Sequence, residues 1–479
     1  MAPPGVHTRF FHVIIFFLFL VSPPSSGQET TIKASQTIDI LMRRLHERGQ
    51  FNGAVLVAQR DRIVYRGSFG LADRSSGRPF TPDTPSCLAS VSKPFTALAI
   101  MMLVEKGRIH YDDHIAEYIP ELPSALAAVT IRQLLNHTSG IADYSDLNAE
   151  HPGMTNAEIL NALRQVNQLL FLAGEKYQYS NSGYVLLGLI VERVSGQRLS
   201  AYLDDHVFRP LGMKASFVLT SARQKTNAVA RGYNAFGNLD DYDAYVTGDG
   251  GVYSTVDDLF AFDQALNTEK LVSRKTLAEA FTPGRVREGK TTYGFGWNVD
   301  SDASGKRVWH TGNTAGFRAF IERRLDEEIT VIMLTNVGNS KRVEINQAIQ
   351  RILAGQPYTL PKKSIAVALH DIVLKSGIEA AIAAYGADKS AHADEYDLDE
   401  GEINTLGYQL LYRDRRKEDA VRIFLLNSAE HPSSSNAFDS LAEAYQVIGD
   451  KASARKYYNI ALQRDPQNVH AQKMLEKLQ

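Results

Sequence analysis

Ser90-Val91-Ser92-Lys93 leads into the apolar run Pro94-Phe95-Thr96-Ala97-Leu98-Ala99-Ile100-Met101-Met102-Leu103-Val104. The run predicts a buried helix, and residues three apart on a helix share a face. The serine hydroxyl then stands beside a lysine amine without further folding. A hydroxyl is a poor nucleophile until something takes its proton. A lysine shielded from water loses some of its preference for the charged form and can do so. Two later stretches complete the set: Tyr179-Ser180-Asn181, about 90 residues on, and His310-Thr311-Gly312, about 130 beyond that. Serine, lysine, tyrosine and a histidine triplet in this order describe an acyl-transfer site.

Context gives the pattern its weight. Ser453-Ala454-Arg455-Lys456 matches Ser-x-x-Lys as well, and Tyr457-Tyr458-Asn459 follows it at once. That second pair lies within one helical stretch and no histidine triplet follows, so it reads as coincidence. The first set has a helix start for its serine and a strand-like run, Arg307-Val308-Trp309-His310, entering a glycine-containing turn.

With these motifs the chain resembles the serine β-lactamase and penicillin-binding-protein superfamily, whose general pattern runs Ser-x-x-Lys, Ser-Asp-Asn, Lys-Thr-Gly, in its class C-like branch. Tyr-Ser-Asn replaces the second motif here, the form typical of that branch. His-Thr-Gly replaces the third, which resembles D,D-peptidases and D-amino-acid peptidases more than true β-lactamases. Phe51 to Val57, Leu134 to Ile141, Gly250 to Thr255 and Tyr293 to Trp297 agree with the resemblance, which covers about residues 35 to 355.

The residues take these expected roles. Ser90 is the nucleophile. Lys93 is the general base, or the cation that keeps Tyr179 acidic, and the sequence leaves the two readings open. Tyr179 passes a proton to the leaving group, while Tyr177 is the better candidate for an aromatic packed on the core. Asn181 can donate to a substrate carbonyl and hold Lys93. His310 can orient a substrate carboxylate or polarise the tyrosine, and Gly312 lets a strand edge approach the substrate. With Thr311 these complete the substrate-binding set. By resemblance the oxyanion hole is the backbone N–H of Ser90 with that of Asn313. His137, Asp249 and Trp297 read as structural or pocket-lining.

Composition bounds the alternatives. The chain has 479 residues, 44% hydrophobic, with net charge -2 and scattered Lys and Arg, so it can bury more than one core and offers no field for nucleic acid. Gly-x-Ser-x-Gly, His-Glu-x-x-His and cysteine pairs are lacking, so neither a nucleophile elbow nor zinc hydrolysis is indicated, and no metal or cofactor is expected. Cys87, the single cysteine, reads as a small apolar filler.

His7 and Arg9 precede the apolar run Phe10 to Val21, and Pro23-Pro24 then Ser25-Ser26-Gly27 follow. The run is too short to span a bilayer, and 1–27 reads as a signal peptide cleaved before Gln28. An uncleaved anchor or a core helix is the alternative. The expectation is an exported bacterial protein, periplasmic or secreted, without a membrane span after cleavage.

Residues 28–356 form the expected hydrolase domain, of α+β class: an antiparallel sheet flanked by helices, plus an all-helical part. Gly53 to Ala58, Ile63 to Phe69, Lys306 to His310, Phe317 to Arg324 and Ile329 to Asn336 are the expected strands. Helices before Gly53 and after Ser340 should cover one face. A linker, 357–362, leads to helices over 363–479. There Ala420 and Ala454, Phe424 and Tyr458, and Pro432 and Pro466 are each offset by 34, the tetratricopeptide period.

The function expected is hydrolysis through a Ser90 acyl-enzyme, on a D-peptide or another small amide or ester. A class C-like β-lactamase or a carboxylesterase of the same fold is the alternative. From a different class comes a catalytically weak ligand sensor or scaffold, with the repeats binding a protein partner.

Overall fold

The computed structural model describes residues 1, 5, 26–147, 151–223 and 225–478, with side chains from Thr31 onward. The Phe10 to Val21 run lies outside the described residues. No helix among those described is long and apolar enough to cross a membrane.

Six antiparallel strands form the main sheet: β1 (Gly53–Gln59), β2 (Arg62–Phe69), β3 (Asn298–Asp302), β4 (Gly305–Thr314), β5 (Phe317–Arg324) and β6 (Ile329–Thr335). Their order is β3-β4-β5-β6-β1-β2. Strands β1 and β6 close the sheet from opposite ends of the domain, in a register running from Gly53 opposite Thr335 to Gln59 opposite Ile329.

Alternation along the strands loads both faces. Val55, Val57, Val331 and Met333 pack with α1 (Ser26–Glu47) and, through Ile345 and Ile349, with α4 (Arg342–Leu353). Ala54, Leu56, Ile332 and Leu334 face the larger core. That core is built around α2 (Lys93–Glu105), buried over 11 of its 13 residues, as a helix apolar all round must be. Helix α3 (Asn181–Ser195) packs on α2 and ends at Gly196 in the left-handed conformation.

Ser90 lies before α2 rather than on its first turn. Ala89–Ser92 is a 3-10 turn and Lys93 is the first α-helical residue. With three residues per turn, positions i and i+3 eclipse, so the serine and lysine meet more directly than on an α-helix. A short three-stranded sheet of Ser86–Cys87, Val252–Ser254 and Phe217–Val218 fixes this turn from behind.

The C-terminal region is helical, with seven helices of nine residues or more: Ile365–Ser376, Ile378–Ala391, Glu400–Tyr408, Lys417–Glu430, Ser435–Ile448, Lys451–Arg464 and Val469–Lys477. Lys417–Glu430 and Lys451–Arg464 have the same length and are offset by 34 at both ends. Ala420, Phe424, Ala454 and Tyr458 are fully buried. This region docks on the first. Asn234 Nδ2 donates to Gln409 Oε1 at 3.1 Å, Arg413 pairs with Asp240 at 3.3 Å, and Gln50 Nε2 donates to the Lys362 carbonyl at 2.9 Å.

Candidate active site

Ala89 holds φ +47°, a conformation unfavourable for a residue with a Cβ, immediately before Ser90. The strained turn presents Ser90 to a cavity of about 280 Å³ lined also by Asn181, Tyr144, Asp249 and Asn313.

Lys93 Nζ, fully buried, has three neighbours: Asn181 Oδ1 at 2.8 Å, the Asp249 carbonyl at 3.0 Å and Ser90 Oγ at 3.0 Å. The first two can only accept, so they use two N–H bonds. In the neutral amine the lone pair is then left for the serine hydroxyl. Burial pulls the Lys93 pKa down to about 8, with Asp249 and Asp143 opposing. The ammonium also lies 4.9 Å from the Tyr179 ring centroid and 5.6 Å from that of Tyr184.

Tyr179 goes the other way. Burial pushes its phenol pKa up, and its hydrogen bond with Ser90 only partly opposes this. Its ring packs on His137 at 4.2 Å and edge-on to Tyr293 at 6.2 Å. Tyr177, expected in the core, is 37% exposed instead.

Asn181 starts α3, where Asp143 Oδ2 accepts its backbone N–H and satisfies a free donor of the first turn. His137 Nδ1 accepts the Ser180 N–H at 3.2 Å, which fixes the peptide after Tyr179. Trp297 is buried edge-on to Phe281.

The histidine triplet makes contacts within the protein that the sequence does not announce. His310 Nδ1 lies 2.6 Å from the Thr311 carbonyl, so it carries the proton. Nε2 therefore accepts from the Tyr293 hydroxyl at 2.8 Å. Both nitrogens are spent on the protein, and burial drives the His310 pKa down to about 3. The imidazole is thereby held neutral and enclosed. Its reach toward Tyr179 is indirect, with ring centroids 6.4 Å apart.

Gly312 also serves another contact. A Cβ there would lie 2.0 Å from the Leu88 carbonyl oxygen, so the glycine lets β4 close on the nucleophile turn. Gly312→Ala is expected to cost about 1–3 kcal/mol by overpacking and to slow acylation. A wild-type melting temperature would show that the turn yields instead. Thr311 and Asn313 flank this contact on β4, whose His310 to Thr314 half pairs with β5 alone, leaving one edge open.

Sequence reasoning missed Arg342, Asp143 and Tyr293. Arg342 reaches from α4 to donate to Asn313 Oδ1 at 2.8 Å and to the Gly312 carbonyl at 3.2 Å. No spacing rule connects it to β4. The Tyr293 to Trp297 segment was legible as a unit, but not the partner of its tyrosine. Among the described residues, no cluster of His, Cys, Asp or Glu could hold a metal.

The profile of the Beta-lactamase family matches residues 38–356. Penicillin-binding protein 4* of Bacillus subtilis (strain 168) is 36% identical over 353 residues, spanning 68% of this chain and 77% of its own. Esterase EstB of Burkholderia gladioli is 29% identical over 66% of this chain and 93% of its own. The octameric penicillin-binding protein homologue from Pyrococcus abyssi superimposes with a TM-score of 0.61 at 26% identity, over 71% of this chain and 81% of that one.

Proposed function

Since the chain belongs to the Beta-lactamase family and is a serine hydrolase that works through an acyl-enzyme, we propose that it acts on peptides or esters, with D-peptides favoured and β-lactams turned over poorly. The observation that carries this is the engagement of His310 by Tyr293 and Thr311. Where a lysine would offer a β-lactam carboxylate a permanent cation, this site offers a neutral ring already in use. The resemblance to both a penicillin-binding protein and an esterase supports the same range.

In the proposed cycle, neutral Lys93 takes the Ser90 proton as Oγ attacks the carbonyl carbon. The backbone N–H groups of Ser90 and Asn313 receive the oxyanion, a contribution typically of about 3–4 kcal/mol. Arg342 keeps Asn313 in place for this. Asn181 shares its Oδ1 with Lys93 and has its amide N–H bonds left for a substrate carbonyl. Tyr179, kept protonated by burial, gives its proton to the leaving group. The proton held by Lys93 passes to the Tyr179 phenolate, which restores both groups; water then attacks the acyl-enzyme with neutral Lys93 again as base, and Lys93 returns that proton to Ser90 Oγ as the acid leaves.

A panel of nitrocefin, D-alanyl-D-alanine peptides and p-nitrophenyl esters, with Ser90→Ala as blank, tests the substrate order. Nitrocefin turnover with kcat/KM in the roughly 10⁴–10⁸ M⁻¹s⁻¹ range of good enzymes would reverse it. Turnover of esters alone would make the protein a carboxylesterase.

Two wider readings complete the proposal. The Phe10 to Val21 run supports export, and the mass of the mature protein, starting near Gln28, decides it. The 34-residue offset of two equal helices supports a tetratricopeptide-like region that can take a protein partner.

A further inference from the structure

A second cavity, of about 440 Å³, lies where the hydrolase and helical regions meet. Asn234, Phe236 and Arg318 line it from the first; Tyr408, Tyr412 and Arg413 line it from the second. It shares one residue, Ala315, with the Ser90 cavity. Ala315 forms the turn from β4 to β5 at φ +39°, so the two cavities abut across that turn.

Arginines outnumber carboxylates among the residues that line this second cavity. Arg318 stands opposite Asn313 across the β4–β5 pair, and one of its terminal nitrogens donates to the Ala315 and Phe317 carbonyls at 2.8 and 2.7 Å. It forms no ion pair with any described carboxylate. Arg413 pairs with Asp240 at 3.3 Å. Two guanidinium groups and one carboxylate, that of Asp240, line the cavity, and Glu443 lies behind its tyrosines, accepting from the hydroxyls of Tyr408 and Tyr412. The rings of Tyr408 and Tyr412 stack at 6.0 Å, and Tyr412 is 51% exposed.

Direction along β4 decides what reaches this cavity. Asn313, Thr314 and Ala315 line the Ser90 cavity in turn, from one half of the proposed oxyanion hole to the β4–β5 turn. An acyl arm that runs along this edge from Ser90 therefore reaches Ala315.

We propose that the helical region completes the acyl-side binding site. An acyl arm attached to Ser90 crosses Ala315 into the second cavity, where Arg318 and Arg413 hold a carboxylate on the arm and Tyr412 packs on its chain. The substrate class is then an N-acyl peptide or peptidyl ester with an acidic group remote from the scissile bond. This rests on the acyl-enzyme reading above.

Two p-nitrophenyl esters of the same triglycine arm test it in the full chain, one capped with succinyl and the other with uncharged propionyl. The succinyl ester should show about tenfold higher kcat/KM, and 0.5 M salt should shrink the preference because partly exposed charges are screened. In Arg413→Gln and in Arg318→Gln the ratio should fall to about two or below. Arg413 is at the surface, so its variant remains informative even if Arg318→Gln folds poorly. Equal turnover of both esters by the wild type, or a tenfold ratio kept in both variants, overturns the proposal while leaving the hydrolase reading intact. Failure on p-nitrophenyl acetate with no adduct on Ser90 would remove the hydrolase reading and this one with it.

Discussion

Ser90→Ala is expected to lose all covalent labelling by a fluorophosphonate or penicillin probe and about 10⁴–10⁶-fold of turnover, the scale seen when a serine nucleophile is deleted. Fold should be spared. The hydroxyl's partners are Lys93 and Tyr179, and the surrounding turn is held by backbone contacts such as the Leu88 N–H to the Val252 carbonyl at 2.9 Å. Mapping the labelled peptide by mass spectrometry checks the assignment. An adduct on another serine, or equal labelling of the variant, would place the nucleophile elsewhere. Ser453 is the sequence's own decoy for this experiment. Its segment forms part of the Lys451–Arg464 helix, where the Ser453 N–H is taken by the capping Asp450 and Tyr458 is fully buried in the helical core. Nothing there joins a serine to a second catalytic segment.

Most of the sheet was legible because its strands carry uninterrupted apolar or alternating patterns. Gly53 to Ala58 and Ile63 to Phe69 each fall within one residue of the strands formed. Strand β4 was expected to stop at His310 but continues to Thr314. Thr311-Gly312-Asn313-Thr314 has the composition of a turn, and only the ladder to β5 holds it extended. The Ser90–Lys93 pairing was legible from spacing, although a 3-10 turn produces it. The contacts that orient the site were not. Asp143, Tyr293 and Arg342 come from segments with no shared period, and packing alone brings them to Asn181, His310 and Asn313. Tyr177 and Tyr179 look alike in sequence, and both rings meet His137 and Tyr293; the second alone also lies against Lys93 and near His310.

Lys93→Ala should lose about 10²–10⁴-fold of the acylation rate, as removal of a general base does, and the pH profile should say why. With Lys93 pulled down to about 8 by burial, the active form is the neutral amine, so the rate rises with pH and levels off above about 8. That limb belongs to Lys93 and should vanish in the alanine variant. Neither buried histidine should add a limb near neutrality, because burial holds both His137 and His310 below the usual imidazole range. Tyr179 stays protonated throughout, since burial raises its pKa. Tyr179→Phe therefore separates the two roles. Its loss should be large for peptides, whose amine must be protonated to leave, and small for p-nitrophenyl esters, whose phenolate leaves unaided. The opposite pattern, with Tyr179→Phe equally damaging to both substrates and the limb near 8 surviving in Lys93→Ala, would make the tyrosine the base and the lysine its electrostatic support. Lys93 is fully buried and bonded to Asn181 and Asp249, so circular dichroism and a melting curve must accompany the rates. A variant that melts like the wild type, acylates slowly and no longer shows the limb near 8 is the outcome that assigns the proton transfer to Lys93.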